Sequence, residues 1–207
     1  TVNVFYGTQY GIGTGGAEVL HQGIAGTTNE DYDRFGYSLA VGDIDADGYD
    51  DLIVGTPYED LGSTTDAGWI FTFFGGNDGL LDAGGNASYE RLSQSSAGTI
   101  SEVDDRFGWS LATGDIDGDG YSDIIVGTYS DSFSKRGNGS VQIFSGLNGL
   151  ALYTFEGDSG ADAFGYSVSF ISDLDGDGRD DIIIGAPTDD NHGGRNSGSI
   201  RVILSSG

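Results

Sequence analysis

Three segments of the chain repeat the same order of apolar and polar positions. The first reads Phe35-Gly36-Tyr37-Ser38-Leu39-Ala40, and closely similar hexapeptides begin at Phe107 and Phe164. Large side chains alternate with small ones at period two, which predicts a strand with one apolar face. Each hexapeptide is followed by an Asp-rich loop and then by a short β-branched run. The pattern therefore indicates a repeated structural unit.

Further short strands are predicted after each Asp-rich loop. In chain order the second, third and fourth strands are predicted at 52–54, 69–74 and 89–92 in the first unit, at 124–126, 141–144 and 151–155 in the second, and at 182–184 and 200–204 in the third. The 38 glycines and the lack of a sustained 3.6-residue apolar period argue against long helices. About four short strands per repeat is the pattern of propeller blades.

The ends of the chain are out of phase with this repeat. Residues 1–30 match strands three and four of a preceding blade, 31–100 and 101–158 match complete blades, and 159–207 match a blade without its fourth strand. Propellers generally need about four to eight blades to close. We therefore expect an all-β segment of a larger propeller, with about three blades and part of another.

Charge and composition narrow the range of partners. The chain has 8 Lys and Arg against 33 Asp and Glu, a formal charge of -25, so nucleic acids and anionic lipids are repelled. The absence of Cys excludes disulfides, thiolate metal sites and a Cys nucleophile. No apolar run approaches the ~20 residues of a membrane span. Cations are the expected partners, and membrane insertion is not expected.

The acidic residues are concentrated in three copies of the loop Asp-x-Asp-x-Asp-Gly-x-x-Asp. Four carboxylates in each copy repel one another unless a cation is present. Ca²⁺ takes six to eight hard oxygen ligands, which carboxylates at alternate positions can supply. We expect three Ca²⁺ per chain. The predicted side-chain ligands are Asp43, Asp45, Asp47 and Asp51, then Asp115, Asp117, Asp119 and Asp123, and finally Asp173, Asp175, Asp177 and Asp181.

The seventh position of each loop is predicted to coordinate through its backbone carbonyl. It is Tyr49, Tyr121 and Arg179 in the three copies, and an Arg side chain does not coordinate a cation. An EF-hand, the competing calcium motif, needs a bidentate Glu at position twelve and flanking helices. That position is occupied by apolar residues of the second strand, which excludes an EF-hand. They are Val54, Val126 and Ile184.

The Phe-Gly pairs, the Asp loops and the following Gly-Thr-Pro, Gly-Thr-Tyr and Gly-Ala-Pro triplets resemble the FG-GAP repeat of integrin alpha-subunit propellers and their bacterial relatives. The resemblance covers nearly the whole chain. It implies blades of a propeller, seven-bladed in integrins, with Ca²⁺ in the loops joining strands one and two, away from the ligand-binding loops. Only the third of these triplets keeps the Gly-Ala-Pro sequence of the repeat unchanged. Animal integrin blades often carry disulfides, so the absence of Cys favours a microbial relative.

Other candidate sites are weaker. His21 and His192 lie beside no recognisable nucleophile, so no catalytic residue is predicted. Three aromatic residues could form a surface on which a sugar stacks, but their place on a period-two apolar face favours core packing between blades. They are Phe35, Trp109 and Tyr166. The sequons at Asn86 and Asn138 would be glycan sites in a eukaryotic secretory pathway.

These observations favour a calcium-stabilised, non-enzymatic adhesion or structural module, extracellular or at the cell surface. Its expected partners besides calcium are a protein or glycan ligand, and other copies or the rest of a parent chain. Two alternatives remain open, a carbohydrate-binding propeller and the accessory repeat region of a secreted hydrolase.

Overall fold

The structure is a computed structural model that describes residues 1–13, 17–27, 30–131, 137–190 and 194–205. The described residues form strands and two 3₁₀ helices, at Gln22–Ala25 and Gln94–Ala97. The prediction of an all-β fold is confirmed. The strands are β1 Val2–Val4, β2 Gly7–Thr8, β3 Gly11–Ile12, β4 Glu18–Leu20, β5 Ser38–Gly42, β6 Asp51–Thr56, β7 Trp69–Phe73, β8 Tyr89–Leu92, β9 Ser110–Gly114, β10 Asp123–Thr128, β11 Ser140–Phe144, β12 Ala151–Glu156, β13 Ser167–Ser172, β14 Asp180–Ala186 and β15 Ser199–Ile203.

Most strands lie in three antiparallel sheets in which chain neighbours are also hydrogen-bonded neighbours. The first sheet has the order β5-β6-β7-β8, the second has β9-β10-β11-β12 in the same sense, and the third has β13-β14-β15. Strands β1 and β4 form a separate pair, as do β2 and β3. The predicted boundaries between units, after residues 30, 100 and 158, stay a prediction.

The sheets are held together by three apolar clusters, each lying between neighbouring sheets. One joins the β1-β4 pair to the first sheet through Leu20 and Phe71. The next joins the first sheet to the second, where Ile70 packs with Phe107. The last joins the second sheet to the third, and its members include Ile143. The second strands β6 and β10 are buried throughout, because each lies inside a sheet and between two such clusters.

The first strands β5, β9 and β13 lie side by side, and their packing leaves the predicted apolar face of β5 exposed. In β5 the small residues face β9, since Ser38 Oγ donates to the Gly108 carbonyl and Gly42 lies against Thr113. The large residues Leu39 and Val41 face the other way and are 49% and 56% exposed. The period-two alternation predicted this apolar face. It is exposed because no first strand precedes β5 among the described residues.

The Phe-Gly turns lock each sheet to the one before it. Gly127 of β10 lies so close to the next turn that a Cβ atom would be 2.1 Å from the Gly165 carbonyl oxygen. The corresponding atom on Gly55 would be 2.3 Å from the Gly108 oxygen. Gly185, in the third sheet, would meet only the Ser167 side chain this closely. The glycines that begin the first two Gly-Thr-Pro-like triplets are therefore required by contact between sheets.

Gly127→Ala is expected to destabilise the fold, because the added methyl group forces two backbones apart. Overpacking of this kind costs about 1 to 3 kcal/mol. The matched control is Gly185→Ala, where a hydroxyl can rotate away from the new methyl group. Urea unfolding curves measure both variants. Equal unfolding free energies for Gly127→Ala and Gly185→Ala would show that the contact between sheets is not the cause.

Candidate metal centres

The three Asp loops lie at the same end of their sheets, where each first strand turns into the second. The loops join β5 to β6, β9 to β10 and β13 to β14. Gly48, Gly120 and Gly178 have φ angles of 92°, 89° and 89°, a region that glycine enters without strain. The Asp-Gly step therefore makes the same sharp turn in all three loops.

The last aspartate of each loop anchors it to the sheet. Asp51 Oδ2 accepts a hydrogen bond from Ile44 N at 2.7 Å, and its Oδ1 accepts one from Gly75 N at 2.7 Å. Gly75 follows the third strand, so this one side chain connects two segments that are distant in sequence. The equivalent bonds join Asp123 to Ile116 and Gly146 at 3.0 and 3.1 Å, and Asp181 to Leu174 and Ser205 at 2.6 and 2.9 Å.

The structure brings three carboxylates of every loop within reach of one ion. In each set one oxygen per residue lies within 4.8 Å of the others. The sets are Asp43, Asp45 and Asp51, then Asp115, Asp117 and Asp123, and finally Asp173, Asp175 and Asp177. Of the predicted side-chain ligands, Asp47, Asp119 and Asp181 fall outside these sets. Three convergent carboxylates per loop fit the oxygen-rich coordination of Ca²⁺.

One atom of the first loop fits a bound cation directly. Asp43 Oδ1 is inaccessible to solvent and has no hydrogen-bond partner among the described residues, whereas its Oδ2 accepts a hydrogen bond from Gly48 N at 3.0 Å. A buried carboxylate oxygen without a partner is costly unless a cation compensates it. The residues present therefore fit Ca²⁺, which would neutralise part of the loop charge.

The seventh residues are held in place by the carboxylate two positions before them. Tyr49 N donates to Asp47 Oδ1 at 2.9 Å, and Tyr121 N donates to Asp119 Oδ1 at the same distance. Arg179 N donates to an equivalent oxygen of Asp177 at 3.0 Å. These bonds give the aspartate at the fifth position of the loop a structural role, even where it lies outside the convergent set. Coordination by the three carbonyls stays a prediction.

The three anchoring carboxyl groups differ in the direction in which their pKa values are shifted. Desolvation raises the pKa of Asp123 to about 7, against the hydrogen bonds from Gly146 and Ile116, and repulsion by Asp117 adds to the rise. Desolvation also raises the pKa of Asp51. In Asp181 desolvation acts in the same direction, but the hydrogen bonds from Ser205 and Leu174 outweigh it and lower the pKa. A nearby cation would favour the ionised form of all three carboxyls.

Neighbouring Asp loops are also bonded to each other. Ser122 N, in the second loop, donates to the Asp43 carbonyl of the first loop at 3.0 Å. Asp180 N, in the third loop, donates to the Asp115 carbonyl of the second at 3.0 Å, and Asp180 Oδ2 accepts from Asp115 N at 3.1 Å. The eighth position of each loop therefore supports the first position of the preceding one. The loop spacing alone gives no sign of this contact.

Comparison with known proteins agrees with this geometry. The model of the FG-GAP repeat matches residues 35–71, 107–144 and 164–203, which together are more than half of the chain. The chain belongs to the FG-GAP repeat family. Its four-stranded antiparallel sheets are consistent with blades of the FG-GAP β-propeller, and each matched segment begins at a Phe-Gly turn.

Curated relatives of this FG-GAP chain are integrin alpha chains. Integrin alpha-PS5 of Drosophila melanogaster is 39% identical over 164 residues, which is 74% of this chain and 15% of that protein. Integrin alpha-7 of Homo sapiens is 39% identical over 166 residues, 75% of this chain and 12% of the relative. Integrin alpha-V of Gallus gallus is 40% identical over 84 residues, 41% of this chain and 8% of the relative. The chain thus spans less than a sixth of the length of these proteins.

A second set of acidic residues recurs in the FG-GAP repeats, and the sequence motifs did not reveal it. Asp158, Asp162 and Asp189 bring one oxygen each within 4.8 Å of the others. In the first repeat the corresponding buried acids are Asp33 and Glu59. Burial, followed by repulsion from Asp33, raises the pKa of Glu59 to about 8, and Gln22 Nε2 donates a hydrogen bond to its carboxyl group. These acidic residues could have been found in the sequence by their positions. One lies two residues before each Phe-Gly pair, and the other lies four residues after the first residue of each Gly-Thr-Pro-like triplet.

The predicted core aromatics occupy two different environments. Phe35 packs in the core against Phe71 and Phe73, with ring centroids 5.9 and 6.0 Å apart. Trp109 and Tyr166, however, lie 5.5 Å apart in an aromatic cluster at the end of the FG-GAP sheets opposite the Asp loops. The cluster is only partly buried, because these two residues follow the Phe-Gly turn and precede the close-packed part of the first strands. Its other members are Tyr37, Tyr58 and Tyr129.

Burial distinguishes the remaining sequence candidates, which are the two sequons and the two histidines. Asn138 is fully buried and its Nδ2 donates to the Gly157 carbonyl at 3.0 Å, so the folded chain cannot present this sequon for glycosylation. Asn86 is exposed. His21 Nδ1 is buried, and His192 lies outside the described residues. None of the described helices has the length and apolar character needed to cross a bilayer.

Proposed function

We propose that this chain is a calcium-stabilised, non-enzymatic adhesion or structural module of an extracellular or cell-surface protein. The observation that carries the proposal is the convergence of three carboxylates in each of the three Asp loops. The adhesion role is inherited from the family, because the curated relatives are integrin alpha chains. The chemistry of the site is structural ion binding, in which a divalent cation offsets repulsion among four carboxylates.

Each ion would be held mainly by the residues of one loop. In the first loop Asp43, Asp45, Asp47 and Asp51 supply carboxylate oxygens, and Tyr49 supplies its carbonyl. The equivalent residues of the second and third loops complete the proposal of three ions. Since Asp51 also holds Gly75 N, an ion in this loop would stiffen the connection from the first strand to the third. Calcium would therefore act on the whole sheet, beyond the loop that binds it.

We also propose that the chain is part of a larger propeller, with repeats at 31–100, 101–158 and 159–207 and two strands of a preceding blade in 1–30. Among the described residues β15 pairs as a strand only with β14, and Ile200 and Leu204 beside its open edge are exposed. Open edges normally pair or are covered. The rest of a parent chain would pair with this edge and cover Leu39 and Val41.

Native mass spectrometry with and without a chelator tests the metal sites. The expected result is three Ca²⁺ per chain. Asp45→Ala, Asp117→Ala and Asp175→Ala should each remove one ion, because each takes away a convergent carboxylate. Asp31→Ala, an exposed aspartate outside all these sets, is the control and should retain three. A chain that carries no metal in millimolar calcium would rule out the proposal.

A further inference from the structure

A cavity of about 400 Å³ lies beside the first Asp loop and shares only Tyr49 with the predicted calcium ligands. Its volume is within the range of about 300 to 1,000 Å³ typical of small-molecule sites. Two tyrosines, Tyr6 and Tyr49, line it together with the polar residues Asp50, Asn77 and Asp78. The rest of the wall is Leu80 and the glycines at 75, 76 and 79.

Hydrogen bonds fix the walls of this cavity. Tyr6 OH donates to Glu18 Oε2 at 2.5 Å and accepts from Leu80 N at 3.0 Å, which sets the orientation of the ring. On the other side, Gly75 N is held by Asp51, and Tyr49 N is held by Asp47. A site whose walls are already ordered loses little conformational entropy when it binds a ligand.

The wall chemistry indicates an uncharged, hydroxyl-rich ligand. Tyr6 and Tyr49 are 43% and 44% exposed, so each presents apolar ring surface to the cavity. Asp50 and Asp78 accept hydrogen bonds, while Asn77 both accepts and donates them. None of the described residues that line the cavity is basic, and the chain carries a net charge of -25, so anionic ligands are repelled.

We propose that this cavity binds a neutral pyranose sugar. The C–H face of the ring would lie against a tyrosine, and its hydroxyls would bond to Asp50, Asn77 and Asp78. A lone ammonium or guanidinium group also suits tyrosines and carboxylates, but it would leave most of a 400 Å³ cavity unfilled and would not use the amide donor of Asn77. Sugar binding would give the adhesion module a glycan ligand at the same end as its Asp loops.

The sugar site would respond to calcium, and this part of the inference rests on the proposed function. Asp47 and Asp51 each hold one wall of the cavity and are also predicted calcium ligands. An ion that fixes these carboxylates fixes the positions of Tyr49 and Gly75 as well. Sugar affinity is therefore expected to fall when calcium is removed.

Saturation-transfer NMR with methyl α-glucoside, methyl α-mannoside and methyl β-galactoside at millimolar concentration tests the site. At least one glycoside should receive saturation in calcium. Asn77→Ala should weaken its binding about tenfold, which corresponds to ~1.4 kcal/mol. Asn148→Ala is the matched control in the following repeat, exposed in the corresponding loop, and should bind as the unmodified chain does.

The outcomes separate the sugar site from the metal sites. Absence of transfer to all three glycosides, or equal binding by Asn77→Ala and the unmodified chain, would overturn the sugar site even if three Ca²⁺ are bound. If tetramethylammonium bound in a salt-sensitive way and no glycoside bound, the ligand of the cavity would be a cation. That result would also overturn the sugar site. Glycoside binding that survives chelation would support the site and refute its dependence on calcium.

Discussion

Chelation of calcium is expected to lower the melting temperature of this chain by roughly 15 to 30 °C. A ligand at 100 times its dissociation constant stabilises the folded state by about 2.7 kcal/mol per site, so three independent sites supply about 8 kcal/mol. For a chain of 207 residues each kcal/mol shifts the melting temperature by roughly 2 to 4 °C. Circular dichroism melts in EDTA, and in EDTA with excess calcium, measure the difference.

A triple variant provides the control for this experiment. Asp45→Ala, Asp117→Ala and Asp175→Ala together remove one convergent carboxylate from every loop. The triple variant should melt at the same temperature with and without calcium. Identical melting of the unmodified chain in EDTA and in calcium would mean that bound ions contribute nothing to the fold, whatever the stoichiometry.

Asp123→Ala is expected to destabilise the fold much more than Asp119→Ala, which removes an exposed carboxylate from the same loop, and to do so without calcium as well. Asp123 is fully buried and accepts hydrogen bonds from Ile116 N and Gly146 N. Removing the carboxylate leaves two buried N–H groups without acceptors, at about 1 to 3 kcal/mol each. The loss is therefore expected to be about 3 kcal/mol or more in chelator, with the binding energy of one ion lost in addition when calcium is present.

Asp119→Ala separates the structural role from the metal role. Asp119 is an exposed residue of the same loop, and the one described group that donates a hydrogen bond to it is a local backbone N–H, that of Tyr121. Its removal should lower stability in calcium but change it little in chelator. Urea unfolding at pH 5 with and without calcium measures both variants. Equal losses for Asp119→Ala and Asp123→Ala in chelator would contradict the anchoring role of Asp123.

The pH of this experiment matters because burial shifts the ionisation of Asp123. Its pKa rises from 3.8 in the unfolded chain to about 7 in the folded state without metal. The folded state then holds the proton more tightly, so the Asp123 contribution to stability in chelator is greatest below pH 4 and declines as the pH rises towards 7. Above pH 7 the carboxyl is ionised in both states. The comparison is therefore made at pH 5, where the folded carboxyl is still protonated and keeps most of its contribution, and the loss caused by Asp123→Ala in chelator should be smaller at pH 8.

The parts of this protein that depend on local residue spacing could be predicted from the sequence. Aspartates at alternate positions, followed by Gly48 and its counterparts, must form a tight acidic loop, and the β-branched runs after them must form buried strands. Three copies of the same order made the repeat and the all-β fold predictable. The family follows from the same residues, because Phe-Gly, the Asp loop and the Gly-Thr-Pro-like triplet recur together.

Which of these local features contact one another depends on how the sheets pack in the folded chain. The alternation in Leu39 and Val41 predicted an apolar face but not its exposure, which depends on whether another first strand lies against it. The bond from Gly75 to Asp51 and the pairing of Asp33 with Glu59 join residues more than twenty positions apart. Such contacts are fixed by how sheets pack on one another, and packing between distant segments leaves no period in the sequence.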